Sequence, residues 1–411
     1  MRSGDWQNLA LKRIVDAIQS GTSVNGAPWP ADGNQPGVLK TSSVYGGVFN
    51  PTENKEIDSY DVDRASCPVL AGSLIVSRMN TKQHLGVAAA VRQDFANLYL
   101  PDRLWAVTFS GAESRFIDWW TKTPAYRSQV EAVSVGTSSS MQNISQGDFL
   151  ELRIKLPDLG TQCAIADYLD RETARIDTLI EEQQRLIEML RERRQAVIDD
   201  SFSNLGEPSV QLRRYIEFLT SGSRGWGDYY ADQGERFLRI GNLPRANLEI
   251  RGAIQFVDLP ADVTEGSRTM LQEGDLLFSI TAYLGSVAVV QGDWVGAYVS
   301  QHVALCRLEC DRVDPRFIGW FMLTTAGQNQ LNEGAAGGAK MQLALDDIRG
   351  LRVPAAPIEQ QRRIAAHLDR QTAKIDALVA ETERFIEYAR ERRAALITVA
   401  VTGQIDVREM A

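Results

Sequence analysis

The sequence predicts an α+β protein: two pseudo-repeated globular domains separated by two long antiparallel coiled-coil helices. Two observations carry most of that expectation. The chain repeats one segment, Ile165 to Ile198, as Ile364 to Ile397, at a period of about 199 residues. The repeated segment has helical apolar spacing, whereas the segments between its copies show strand and turn signals.

The two copies read IADYLDRETARIDTLIEEQQRLIEMLRERRQAVI and IAAHLDRQTAKIDALVAETERFIEYARERRAALI, with roughly 18 of the first 30 positions identical. Apolar residues recur at spacings of three, four and seven: Leu169, Ile176, Leu179, Leu186 and Leu190 in the first, and Leu368, Ile375, Leu378, Phe385 and Leu396 in the second. These ten positions are the expected helix interface, and Ile165, Ile180 and Ile187, with Ile364, Val379 and Ile386, widen the stripe. Neither Gly nor Pro interrupts 165–202 or 358–401, and the intervening Arg, Glu, Gln and Ala are strong helix formers. Each helix is therefore expected to run about 40 residues, or roughly 60 Å. The repeated Arg-Glu-Arg-Arg (Arg191 to Arg194, Arg390 to Arg393) matches at positions a helical core does not need, as a pseudo-twofold molecule presenting one surface twice would require.

The globular segments, 1–156 and 206–353, are more diverged copies of one unit. Ser20-Gly21 aligns with Ser221-Gly222, and Leu70 to Ser77 with Leu271 to Ser279. Gly86 and Gly285 each mark the turn after the second of these strands. The predicted order is thus a domain at 1–156, a helical spacer at 157–205, a domain at 206–353 and a helical spacer at 354–411.

Composition narrows the function. The chain has 411 residues, 44% hydrophobic and 24% charged, which fits ordinary packed domains. Four cysteines (Cys67, Cys163, Cys306, Cys310) are too few for a disulfide framework and read as free thiols of a reducing compartment. No apolar run reaches the ~18 residues of a membrane span, so a cytoplasmic protein is expected. The net charge is −9. By segment, 1–156 sums to about 0, 157–205 to about −5, 206–353 to about −4 and 354–411 to about 0. Neither globular domain is basic overall, so any nucleic-acid contact must come from local basic faces or from partners.

Catalytic signatures are missing. Asn50-Pro51-Thr52 lacks the second proline and the aromatic residue of an amino-methyltransferase loop. Gly337 to Met341 lacks the spacing and the Ser/Thr of a phosphate loop. No clustered Cys/His metal motif occurs, and no catalytic residue or metal ligand is assigned.

Repeated scaffolding around diverged domains suits a protein that reads two unlike half-sites: identical readers would read a palindrome, unlike ones an asymmetric bipartite site. Over essentially its whole length the chain resembles the specificity subunits of type I restriction–modification systems. The resemblance is carried by Val353-Pro-Ala-Ala-Pro-Ile-Glu-Gln-Gln-Arg-Arg-Ile-Ala-Ala-His-Leu-Asp369, by Leu156 to Asp170, by Gly274 to Ser279 and by Val299 to His302. Leu74 to Asn80 is similar to the matching run in the first domain. Asp158-Leu-Gly-Thr-Gln-Cys departs from the family's Pro-x-x-Glu-Gln-x helix entry. The resemblance implies a non-catalytic, DNA-binding subunit with two target-recognition domains. It implies two methyltransferase (modification) subunits as partners, joined by two restriction/translocase subunits, and adenine methylation within a split target. S-adenosylmethionine, ATP and Mg are then expected on the partners, with no cofactor on this chain and no membrane.

Base reading needs Arg, Lys, Asn, Gln, Ser or aromatic residues on loops and strand edges. The candidates for contact with double-stranded DNA are Lys40, Ser42, Tyr45, Arg78, Asn80, Lys82 and Gln142 in the first domain. In the second they are Ser223, Arg224, Trp226, Tyr230, Arg239, Asn242, Arg245, Tyr283, Lys340 and Gln342.

Overall fold

The computed structural model describes residues 6–138, 141–260, 266–335 and 342–407. Contacts divide the chain into two units: residues 1–183 with 384–411, and residues 184–383. Each unit contains one globular domain, the part of a long helix that follows it, and the complementary part of the other long helix.

The long helices run Leu159–Ser203, 45 residues, and Ile358–Val401, 44 residues. Asp158 starts the first: its Oδ1 accepts from the Thr161 N–H at 3.0 Å and its carbonyl from the Gln162 N–H. This is the N-cap role that a short acidic side chain fills by satisfying the first free helical N–H groups, and it explains how the departing entry sequence still opens a helix. Within each unit the helix segments are antiparallel. Arg393 bonds Asp177 in the first unit and Arg194 bonds Asp376 in the second, both at 2.8 Å, and the two pairs are repeat counterparts.

The expected seam is corrected at four positions. Leu169, Ile176, Leu190, Leu368 and Ile375 are buried, and Leu396 is half-buried. Leu179, Leu186, Leu378 and Phe385 are exposed, Leu179 by 44% and Leu378 by 50%. The seam keeps Ile187 and Ile386 of the widened stripe and passes otherwise through Thr173, Arg194 and Ile198, and through Thr372, Thr382 and Ile397. Buried threonines hide it from a hydrophobic pattern. Thr173 and Thr372 donate their hydroxyls to the carbonyls of Leu169 and Leu368, so they sit inside at little cost. Arg194 is buried with its guanidinium bonded to Asp376 and lying over the Trp320 ring.

The two globular domains share the strand order of their main sheet. In the first, a four-stranded sheet orders Val15–Ser20, Leu104–Phe109, Leu74–Ser77 and Ala88–Ala90. In the second, Ile216–Ser221, Val303–Leu308, Leu276–Ser279 and Val287–Val289 take the same order. Each domain adds a second four-stranded sheet containing one parallel pair, Gly37–Leu39 with Phe95–Tyr99 and Glu235–Leu238 with Tyr298–Val299. The strands Leu74–Ser77 and Leu276–Ser279 are buried throughout, which is why they read as continuous apolar runs. The repeated Ser-Gly has a steric cause. A Cβ on Gly21 would lie 1.6 Å from the Leu100 carbonyl oxygen, and one on Gly222 would lie 2.0 Å from that of Val299.

Each domain closes on itself. Gln7–Ala10 pairs antiparallel with Arg153–Leu156, and Val210–Gln211 with Arg352–Val353. A glutamine reinforces each closure: Gln129 accepts from the Arg153 N–H and donates to its carbonyl, as Gln330 does with Arg352. Repeated polar contacts then fix each domain to its helix. The Gln162 side chain accepts from the Glu113 N–H and donates to the Pro157 carbonyl; Gln361 does the same with Asp314 and Ala356. Asp170 accepts from Trp119 Nε1 and from Arg92 and Arg115, and Asp369 accepts from Trp320 Nε1 and Arg316. The Gln and Asp repeated in the two helix copies are therefore docking residues. In the first unit, Trp6, Leu9 and Ile405 pack on the cluster that holds Leu11 and Val407. In the second, Leu205 and Val210 pack on the cluster that holds Phe202 and Leu212.

Candidate nucleic-acid interface

In the first unit the candidates gather around one turn. Met79–Asn80 pairs with Met141–Asn143, with Gln142 opposite Asn80. The Tyr45 hydroxyl and the Asn80 side chain bond each other, with Asn80 Nδ2 to Tyr45 Oη at 2.8 Å. The Tyr45 ring stacks on His84, centroids 3.8 Å apart and planes within 10°. Asn80 is itself buried and also bonds Ser77, so it braces Tyr45. Lys40 and Ser42 both engage Glu53, at 3.9 and 2.6 Å. Arg78 donates to the Asp102 carbonyl at 2.7 Å, close to the Trp105 ring. Lys82 is exposed and its carbonyl accepts from Arg127. His84 was not among the candidates. The signal for it lay in the repeat: both turns end in Leu-Gly, Leu85-Gly86 and Leu284-Gly285, so His84 stands where Tyr283 stands in the second domain.

In the second unit the candidates separate into two classes. Ser223, Trp226 and Asn242 are buried, and this corrects their expected role. Trp226 packs against Phe237 and Tyr298. Ser223 Oγ lies 3.3 Å from Thr269 Oγ1. Asn242 accepts from the Arg239 N–H and donates to the carbonyls of Arg251 and Ala253, which closes the loop that contains Arg245. Tyr230 is exposed and rests on Phe237; Arg239 is half-buried. Arg224, Arg245, Tyr283 and Gln342 are exposed. Lys340 lies outside the described residues.

Arg245 and Tyr283 come together, with the guanidinium carbon 4.9 Å from the ring centroid. Beside Tyr283, Thr281 Oγ1 lies 3.2 Å from His302 Nδ1, and Gln301 Nε2 lies 3.1 Å from His302 Nε2. The Ile280 N–H donates to the His302 carbonyl and the Leu343 N–H to that of Ile280, which brings the chain at Gln342 to the same place. Thr281, Gln301 and His302 were not singled out as contacts, although Val299 to His302 was marked as a motif.

The cysteines fall apart. Cys306 is buried in the central strand, where burial pushes its thiol up to about 12, and Cys310 is exposed. Among the described residues, no group of three or more His, Cys, Asp or Glu side chains is placed to hold a metal ion, and no helix is long and apolar enough to cross a membrane.

Residues 263–387 match the family described as the type I restriction modification DNA specificity domain. The specificity subunit of the type I restriction enzyme EcoKI from Escherichia coli K12 is 23% identical, over 90% of this chain and 82% of its own length. The specificity subunit of StySPI from Salmonella potsdam is 22% identical over the same shares. Over nine-tenths of its length the chain is thus similar to specificity subunits of type I restriction–modification systems. Its fold is shared with solved chains of such systems. The HsdS subunit from Thermoanaerobacter tengcongensis superposes with a TM-score of 0.61 at 17% identity, over 98% of both chains. A chain from a study of complex assembly and conformational transition of the type I R-M system gives 0.73 at 16% identity, covering 98% of this chain and 100% of that one. The specificity-subunit fold thus accounts for both globular domains and both long helices.

Proposed function

We propose that this chain binds double-stranded DNA at an asymmetric bipartite target and directs adenine methylation or restriction by partner subunits, without a catalytic site of its own. One observation carries the reading. A single framework, repeated down to its docking glutamines and aspartates, presents two unlike sets of side chains at the same turn: Tyr45 and His84 in one domain, Arg245, Tyr283 and His302 in the other. Equal frames with unlike faces suit the reading of two different half-sites.

The partners in this reading are two methyltransferase subunits and two restriction–translocase subunits, in the cytoplasm. S-adenosylmethionine, ATP and Mg²⁺ belong to them. Support for a twofold partner comes from exposed apolar residues that recur with the repeat: Leu179 and Leu378, Leu186 and Phe385, Met189 and Tyr388. Large apolar side chains left exposed at matching positions fit a protein that docks one partner surface twice.

The test is domain exchange. Replacing residues 206–353 by the matching segment of another family member should change one half of the methylated motif and leave the other half as it was, as read by methylome sequencing. A motif changed in both halves, or in neither, would overturn the two-reader assignment.

A further inference from the structure

Arginines that pack on aromatic rings are common in this protein, but nearly all of them are also held by oxygen partners. Arg194 bonds Asp376, Arg236 Asp293, Arg307 Asp275, Arg312 Glu309, Arg393 Asp177, Arg171 Glu172, and Arg78 the Asp102 carbonyl. Arg245 lies 4.9 Å from the Tyr283 ring centroid and has no ion pair or hydrogen bond among the described residues. Such contact orients a guanidinium by its face and leaves its five N–H donors at the edge unused.

The ring beneath it is held at a cost. Tyr283 has φ +58, a conformation unfavourable for a bulky residue. It is nonetheless 54% exposed, so packing of its own side chain does not explain the strain. The turn is clamped from behind. The Tyr283 carbonyl accepts from Ser279 Oγ at 2.5 Å and from the Ser286 N–H at 3.2 Å. The Gly285 carbonyl accepts from Gln328 Nε2 at 3.0 Å. The Arg245 loop is equally fixed. Leu243 and Leu248 anchor it in the core on either side, and Asn242 closes it over Arg251 and Ala253. Two anchored supports thus present to solvent one ring-oriented guanidinium that has no partner among the described residues.

We propose that Arg245 reads a guanine in the half-site of residues 206–353, donating to its O6 and N7 in the major groove, and that Tyr283 is the positioning residue for that contact. The guanine edge is the base edge that offers two acceptors to a planar pair of N–H donors, and bidentate arginine is its usual partner. A phosphate also takes a bidentate guanidinium, but losing that contact weakens binding to all sequences alike, whereas losing a base contact relaxes one position. The assignment rests on the DNA-reading function proposed above.

The test uses the full chain with its modification partners, in cells, read by methylome sequencing. The motif half that changes on exchange of 206–353 should contain a guanine on one strand. Arg245→Ala and Arg245→Lys should both relax that position, lowering discrimination against other bases by about ten- to a hundredfold, with the other half-site unchanged. The lysine variant keeps the charge and loses the fork, so it separates base reading from phosphate attraction. Tyr283→Phe should keep the motif. Tyr283→Asn, which suits the positive φ but removes the ring, should relax the same base pair as Arg245→Ala. A half-site without guanine, an unaltered motif in Arg245→Ala, or full function in Arg245→Lys would overturn the proposal. If the exchange of 206–353 moves one half of the motif while Arg245→Ala moves nothing, the guanine contact alone is lost. If the exchange itself changes neither half, the DNA-reading function falls with it.

Discussion

Asp170 shows how single side chains fasten a globular domain to a helix. It lies at the base of Trp119, with Arg92 and Arg115 on its two oxygens. Burial alone would raise its carboxyl, but the Arg92 hydrogen bond and charge, with Trp119 and Arg115, outweigh burial and hold it below the usual range. A carboxylate depressed in the folded state adds stability that is present above the unfolded pKa, near 4, and is lost as pH falls through the lower folded value. Asp170→Asn should therefore cost about 2 kcal/mol at pH 7, the scale of hydrogen bonds to a charged group. The difference from the unmodified chain should narrow as pH drops from 5 towards 3. Urea midpoints at pH 7, 5 and 3 measure it. A gap that stays constant down to pH 3 would show that the carboxylate charge is not the source. Asp369 makes the matching contacts to Trp320 and Arg316, so the neutral-pH loss should recur in Asp369→Asn.

At the scale of elements, the two helices separate what is buried from what is apolar. Leu179→Glu alters an exposed position and should leave the melting temperature within a degree or two, while weakening co-purification with the modification partner. Ile187→Glu places an unpaired carboxylate in the seam and should cost several kcal/mol, which lowers the melting temperature itself. Equal melting of both variants would sink this placement of the seam. The helices themselves, their repeat and their length were legible in the sequence, because Gly and Pro are absent over the whole repeated stretch and the period is unbroken. Which apolar residues face inward was only half legible. Thr173 and Thr372 are buried because each hydroxyl is returned to its own helix, a bond that residue type alone does not announce. The reading loops were legible as loops. Buried Trp226 and Asn242 were indistinguishable there from exposed Arg245, since the difference lies in Phe237, Tyr298 and the Arg251 carbonyl, which come from elsewhere in the domain.

At the scale of the whole molecule, a chain of net charge −9 gains no general attraction for DNA. Affinity for duplex DNA measured on the assembled complex should fall steeply with salt, because the partners or a few local cations must neutralise the phosphates. A salt-independent affinity would contradict phosphate contact altogether. The closures of the two domains bear on a different question, that of chain order. In the second unit a short connection leads from Phe202 through Leu205 to Val210, all on one apolar cluster. In the first unit the corresponding groups, Val401, Ile405 and Val407 on one side and Trp6 and Leu9 on the other, share a cluster without a peptide connection between them. Each unit therefore gathers a helix end and a domain start on one apolar cluster, and in the second unit a short connection spans it. A circularly permuted chain, opened at Gly206 and joined from residue 407 to residue 6 by a flexible linker, should fold, assemble and methylate the same motif in the same orientation, because the linker would repeat in the first unit the connection that the second already has.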